Sequence, residues 1–206
     1  MFPLGVASRK GIFIGQRFSL NHTTATLYDT TGRHTVQTGS GVTSSGGFVN
    51  FTTGSAGVTI LDNASNDFDV SRSKMGDFDI TFKFRLTADS DTLSILFAVI
   101  DPNSTSTLHS YCYIGSQTGG KKVSIVGWGV SLIHPTVQVV GAAEQTLLFS
   151  RRGATYTLTI DGVSVSGDGG SEWPTYPNAL LIGGYILGFP IYDFIGTIRN
   201  FSLTSV

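Results

Sequence analysis

Residues able to break or transfer bonds are few in this sequence. Its 206 residues include only two glutamates, Glu144 and Glu172, beside twelve aspartates. A glycoside hydrolase usually sets two carboxylates about 5–10 Å apart across the scissile bond; the twelve aspartates could supply such a pair, but no strand face collects acids for that purpose. The single cysteine, Cys112, lies in Ser110-Tyr111-Cys112-Tyr113-Ile114, which reads as a strand, so Cys112 is expected to be a small buried hydrophobe. Alone, it makes no intrachain disulfide. His22, His34, His109 and His134 are scattered, and no pair has zinc-ligand spacing. No Walker loop, nucleophile elbow or dinucleotide fingerprint opens a helix.

Aromatic side chains are the better candidates for chemistry, and the chemistry is recognition. Sugars are held by aromatic faces against C–H patches, with a few placed polar groups around them. The Gly/Pro-rich run Gly167–Asn178 carries Trp173 and Tyr176, and Tyr185 and Tyr192 bracket a second loop, 186–191. These four residues are the candidate carbohydrate contacts. For Trp173 the competing role is a plug over the end of a sandwich. Tyr111 and Tyr113 share one strand face opposite Cys112, and Trp128 is expected in the core.

The elements that must position these residues are strands. In Asp77–Leu86, Phe78, Ile80, Phe82, Phe84 and Leu86 fall on one face, and Asp77, Asp79, Thr81, Lys83 and Arg85 on the other. That period of two marks a half-buried strand. Thr92–Ile100 is nearly all apolar and is expected to be covered on both faces. Tyr156, Leu158 and Ile160 alternate with threonines, and Asp161-Gly162 then leads into Val163-Ser164-Val165-Ser166, a hairpin signal for a type I′ turn. Further strands are expected at Gly11–Ile14, Gly47–Thr52, Gly57–Leu61, His109–Ile114, Lys122–Val126, Val137–Val140, Thr146–Arg151, Ala179–Tyr185 and Phe194–Leu203. No stretch of twelve residues carries a helical period, and nothing repeats at a fixed spacing. The fold class is therefore all-β, a two-sheet antiparallel sandwich.

Composition agrees and excludes several classes. Gly (26), Ser (23) and Thr (25) are abundant, hydrophobic residues make up 40% and charged residues only 13%, with a net charge of -1. A chain so weakly charged lacks the basic face that nucleic acid binding requires. No run approaches the roughly 20 apolar residues of a membrane-spanning helix. Met1–Lys10 lacks a basic segment followed by an apolar core, so it does not read as a secretory signal. Residues 1–26 read as an N-terminal arm or as the first strands of the sandwich, with Arg9, Lys10 and Arg17 among them. Residues 27–206 read as one domain.

The order of motifs carries a resemblance. Leu27-Tyr28-Asp29-Thr30-Thr31-Gly32-Arg33-His34 resembles the opening segment of concanavalin A-like, laminin-G-like jelly rolls. Ser45–Phe51, the alternating strand Asp77–Leu86, the Phe149–Gly162 hairpin, and Leu181–Tyr185 with Phe194–Asn200 resemble successive later tracts of the same domains. The likeness spans about residues 27 to 203 and is strongest to the versions carried by bacteriophage virion proteins. It implies a jelly roll, but not an activity, because this fold hosts lectins, hydrolases and structural modules. The Glu-x-Asp-x-x-Glu strand of the glucanase branch is missing. No cofactor is expected. Calcium enters only through laminin-G and pentraxin relatives, which hold it at a sandwich rim. Asp89, Asp91, Asp101 and Asn103 would offer such oxygens, and turn-forming side chains are the plainer account of them.

The resemblance to virion proteins, taken with the missing acid pair, makes the expected protein a non-enzymatic virion component, a capsid decoration or tail-associated subunit. Its expected partners are capsid or tail subunits, further copies of itself through exposed strand edges, and a host surface glycan. A virion location also reconciles an extracellular-type composition with the N-terminus. A cement protein that binds no sugar is the alternative, and a polysaccharide-degrading enzyme a distant one.

Overall fold

The computed structural model describes residues 15–24, 26–52, 57–61, 67–68, 76–88, 93–100, 108–169, 179–184 and 194–206. Among them there is no helix. The strands are β1 (Gly15–Ser19), β2 (Thr35–Thr38), β3 (Val42–Ser45), β4 (Phe48–Phe51), β5 (Val58–Leu61), β6 (Phe78–Leu86), β7 (Ser94–Ile100), β8 (Leu108–Gln117), β9 (Gly120–Gly127), β10 (Val130–Val137), β11 (Gln145–Arg152), β12 (Thr155–Ile160), β13 (Val163–Asp168), β14 (Ala179–Ile182) and β15 (Gly196–Ser205).

They form two antiparallel sheets stacked as a jelly-roll sandwich. The first runs β13-β12-β11-β6-β15-β4-β3, and the second β10-β9-β8-β7-β14-β5-β2. β15 is long enough to serve two partners along one edge. Its first half, Gly196 to Ile198, pairs with β4, and its last residues, Ser202 to Ser205, pair with β1. Gly15–Ser19, inside the stretch read as arm or first strands, is thus hydrogen-bonded into the first sheet.

The alternation in β6 does what its period demands: Phe78, Ile80, Phe82, Phe84 and Leu86 are buried, and Asp79, Thr81, Lys83 and Arg85 face outward. Between the sheets lies an aromatic core. Phe82 stacks on Phe201 with ring centroids 5.1 Å apart, and Trp128 meets Phe149 at 5.1 Å. Trp128 is 2% exposed, as expected for a core residue. Rings packed in this way add about 0.5–1.5 kcal/mol per pair beyond area burial.

Of the five hairpins closed by two-residue turns among the described residues, two bear most on the sequence reading. Asp161 and Gly162 adopt φ of 48° and 85°, the type I′ geometry that the Asp-Gly pair signals. Trp128 and Gly129 adopt 50° and 72° and turn β9 into β10. This second turn corrects the sequence reading. The strand expected at Val137–Val140 is instead Val130–Val137, because the chain reverses at Trp128. A tryptophan is an unusual residue at positive φ; here its backbone N–H donates to Ser110 Oγ at 3.0 Å while its ring sinks into the core. The strand expected at Ala179–Tyr185 ends at Ile182.

Candidate functional site

Strand order, not sequence proximity, assembles a pocket on the outer face of the first sheet. β6 and β15 are neighbours in the middle of that sheet, with β11 beyond β6 and β4 beyond β15. Thr197 lies opposite Arg85, and Arg199 opposite Lys83. Because Val49 and Phe51 point into the core, Phe48 and Asn50 must point out. Glu144 immediately precedes β11. The result is a cavity of about 250 Å³ lined by Phe48, Arg85, Thr87, Glu144, Thr197 and Arg199.

Its polar groups are arranged around one aromatic ring. The Arg199 guanidinium lies 5.0 Å from the centre of the Phe48 ring. Arg199 Nη2 donates to Glu144 Oε1 at 2.5 Å, so Glu144 reaches across β6 to β15. Arg199 Nε is buried without a hydrogen-bond partner among the described residues. Arg85 Nη2 donates to Gly141 O at 3.4 Å, the long limit of a hydrogen bond. The loop carrying Gly141 and Glu144 is itself fastened to the end of β6, since Gly141 N–H donates to Leu86 O at 2.9 Å. An aromatic wall with two guanidinium forks, one carboxylate and two hydroxyls suits an amphipathic polar ligand such as a sugar.

A second polar group lies at the opposite extreme of burial. His34 Nδ1 is 2.7 Å from Asp29 Oδ2 and its Nε2 is 3.2 Å from Asp67 Oδ2, so both ring nitrogens face carboxylates. Arg17 and Arg33 pair with the same Asp67, at 3.3 Å and 2.7 Å. Arg17 also donates to Ser205 Oγ, tying β1 to β15. Asp29 accepts from the N–H groups of Ser19, Thr31, Arg33 and His34 and from the Thr31 hydroxyl. Burial works to lower the affinity of His34 for its proton. The hydrogen bonds and charges of Asp67 and Asp29 outweigh it and hold the imidazole above its ordinary value. Burial pushes Asp29 upward, and its hydrogen bonds, those of Thr31 foremost, hold it below. This group is a brace joining β1, the 27–34 segment and residues 67–68.

The four residues predicted to contact sugar, Trp173, Tyr176, Tyr185 and Tyr192, lie outside the described residues. So do Asp89, Asp91, Asp101 and Asn103, the calcium candidates. Tyr111 and Tyr113 do share a face, with ring centroids 5.4 Å apart, and pack half-buried on Ile95, Ala98 and Leu181 at the outer side of the second sheet. Cys112 is fully buried, and burial pushes its thiol well up, away from nucleophilic chemistry.

Sequence reasoning missed Phe48, Glu144 and Arg199 as site residues. The available signal was parity: in Phe48-Val49-Asn50-Phe51 an aromatic occupies the same phase as a polar residue.

No protein-family model matches the chain, and no curated protein sequence does. Solved structures do match. The sialidase of Trypanosoma rangeli, as a covalent intermediate with 2,3-difluorosialic acid, aligns with a TM-score of 0.70 and 12% identity over 98% of this chain and 33% of its own. The same sialidase with sialic acid gives a TM-score of 0.68 and 13% identity over 100% of this chain and 33% of its own. The chain thus spans about a third of the sialidase it matches. Domain 4 of AbnA, a GH43 extracellular arabinanase from Geobacillus stearothermophilus solved with arabinotriose, aligns with a TM-score of 0.60 and 15% identity over 94% of both chains. At such identities the likeness is one of fold: a β-sandwich of a kind found within glycan-related enzymes.

Proposed function

We propose that this chain is a non-catalytic carbohydrate-binding sandwich displayed on a bacteriophage particle, as a capsid-decorating or tail-associated subunit that engages a host surface glycan. The observation that carries the glycan reading is the pocket over β6 and β15, where the Phe48 ring is surrounded by Arg85, Glu144, Thr197 and Arg199. The alignment with an arabinanase domain solved holding arabinotriose, over nearly the whole of both chains, supports the same reading. The non-catalytic part is supported by the lining of the pocket. Glu144 is the one acid among its described lining residues, and that carboxylate is held by Arg199, whereas most glycosidases set two carboxylates across the scissile bond. The particle location is supported by the resemblance of the sequence tracts alone.

The test is retention of the isolated chain on an oligosaccharide array, with the bound sugars then assayed for new reducing ends. Binding without cleavage is the expected result. Release of shortened oligosaccharides would replace the reading with a hydrolase. No retention on any glycan, together with tight binding to particles lacking the subunit, would make it a cement protein.

A further inference from the structure

We infer that the pocket over β6 and β15 selects anionic glycans, those carrying a uronate carboxylate or a sulfate ester. The inference rests on the glycan-binding reading above and adds the ligand class. Its first support is charge. Lys83, Arg85 and Arg199 are brought together by the pairing of β6 with β15, and Glu144 is the acid that lines the pocket beside them.

The second support is a contrast within the same sheet face. Of the three arginines among the described residues that project from it, Arg152 and Arg85 lie at opposite ends. Arg152 donates through Nη2 to both oxygens of Asp79, at 2.9 Å each, so the chain itself supplies the acceptor. Arg85 has no carboxylate partner among the described residues, and its hydrogen bond is the long one to Gly141 O. A guanidinium presents five donors in a planar fork matched to paired anionic oxygens. At Arg85 that fork is open toward the cavity it lines. Arg199 is partly committed: Glu144 takes its Nη2, and its remaining charge lines the pocket beside Arg85. A neutral sugar offers hydroxyls, which satisfy such donors weakly. A carboxylate or sulfate satisfies two at once, through charge-assisted bonds about twice as strong. The Phe48 ring beneath Arg199 then serves the sugar's apolar edge.

The experiment measures affinity of the full chain for four probes of similar length: oligogalacturonate, a sulfated galactan oligosaccharide, galactotriose and arabinotriose. At least one anionic probe is expected to bind about tenfold more tightly than either neutral one. That preference should shrink as NaCl rises from about 50 to about 500 mM, since exposed charges are screened. Arg85→Gln should collapse the ratio of anionic to neutral affinity without moving the melting temperature. Glu144→Gln should raise it, by removing the competing charge. If the neutral probes bind as tightly as the anionic ones, or if Arg85→Gln weakens all four equally, the anionic preference is wrong while glycan binding stands. If none of the four binds and a wider array also gives no retention, the glycan reading itself falls.

Discussion

The buried brace and the open pocket are made from the same kinds of residue, arginines, carboxylates and aromatic rings, yet they end in opposite states. In the brace, Asp67 is 1% exposed and is shared by Arg17, Arg33 and His34, while Asp29 accepts from four backbone N–H groups. In the pocket, Arg85 is exposed and holds one long bond. Burial explains the difference. A charge removed from water must find its partners inside the protein, or the fold does not tolerate it. A charge at a surface cavity has water as its partner and can exchange it for a ligand. The saturated brace thus reads as structure, and the open fork of Arg85 in the pocket walled by Phe48 as recognition.

The largest expected effect breaks the brace. Asp67→Ala removes the carboxylate that Arg17, Arg33 and His34 share. Removing one partner of a buried ion pair costs about 3–5 kcal/mol, so the midpoint of urea unfolding should fall by a correspondingly large amount. Glycan affinity of the folded fraction should not change. A loss under about 1 kcal/mol would mean that the brace is ornamental and that saturation is a poor guide to structural role.

The next effect belongs to the pocket and should show the reverse split. Phe48→Ala removes the ring under Arg199 and one wall of the cavity. Glycan affinity is expected to drop about tenfold, in line with truncation of an aromatic contact, while stability shifts by less than about 1 kcal/mol at this half-buried position. Calorimetric titration beside a thermal melt reads both. A large fall in stability with unchanged affinity would assign Phe48 to the fold and leave the pocket without its aromatic wall.

The two regions should also differ in their response to pH. His34 is held above its ordinary value of 6.5 in the folded chain. The folded state therefore binds that proton more tightly than the unfolded state. The stability this contributes is complete below about pH 6.5 and is lost as pH rises through the higher folded value. Asp29, held below its ordinary value of 3.8, works in the other direction: its contribution is present above that value and is lost as pH falls through the depressed one. Unfolding free energy measured from pH 5 to 9 should decline on the alkaline side in the parent chain. In His34→Gln the pH-dependent part should be flatter. Arg85→Gln, changed only in the pocket, should keep the parent's profile.

The unequal legibility of these regions has a physical cause. The sandwich was readable because its information is local: the phase of Phe78 to Leu86 and the Asp161-Gly162 turn each lie within a few consecutive residues. The Trp128-Gly129 turn escaped because tryptophan rarely takes positive φ, and only its burial and its bond to Ser110 compensate. Asp29 and His34 fall in one recognisable segment, but Asp67 comes from 33 residues after His34, and nothing local announces it. The pocket is the extreme case. Phe48, Arg85, Glu144 and Arg199 come from four separate stretches, brought together by the order β11-β6-β15-β4. Arg85 was legible as outward-facing; Glu144 was weighed only as half of a missing catalytic pair, although its use here is to hold Arg199.

The smallest expected effect sharpens the comparison by holding chemistry constant. Asp79 and Arg152 make an ion pair on the same face as the pocket, with side chains 26% and 49% exposed and both carboxylate oxygens engaged. Its geometry is better than that of Arg17 with Asp67, at 2.9 Å against 3.3 Å. If geometry governed stability, breaking so short and bidentate a pair by Asp79→Asn would cost as much as breaking a buried one by Asp67→Ala, about 3–5 kcal/mol. If burial governs it, Asp79→Asn should cost no more than about 1 kcal/mol, the ceiling for exposed pairs, and that loss should shrink further in high salt. Urea unfolding of the two variants side by side decides the matter. A salt-independent loss above about 2 kcal/mol at Asp79 would show that the outer face is held together by its ion pairs, and Arg85 would then have to be read as a strand-fastening residue whose partner is Gly141.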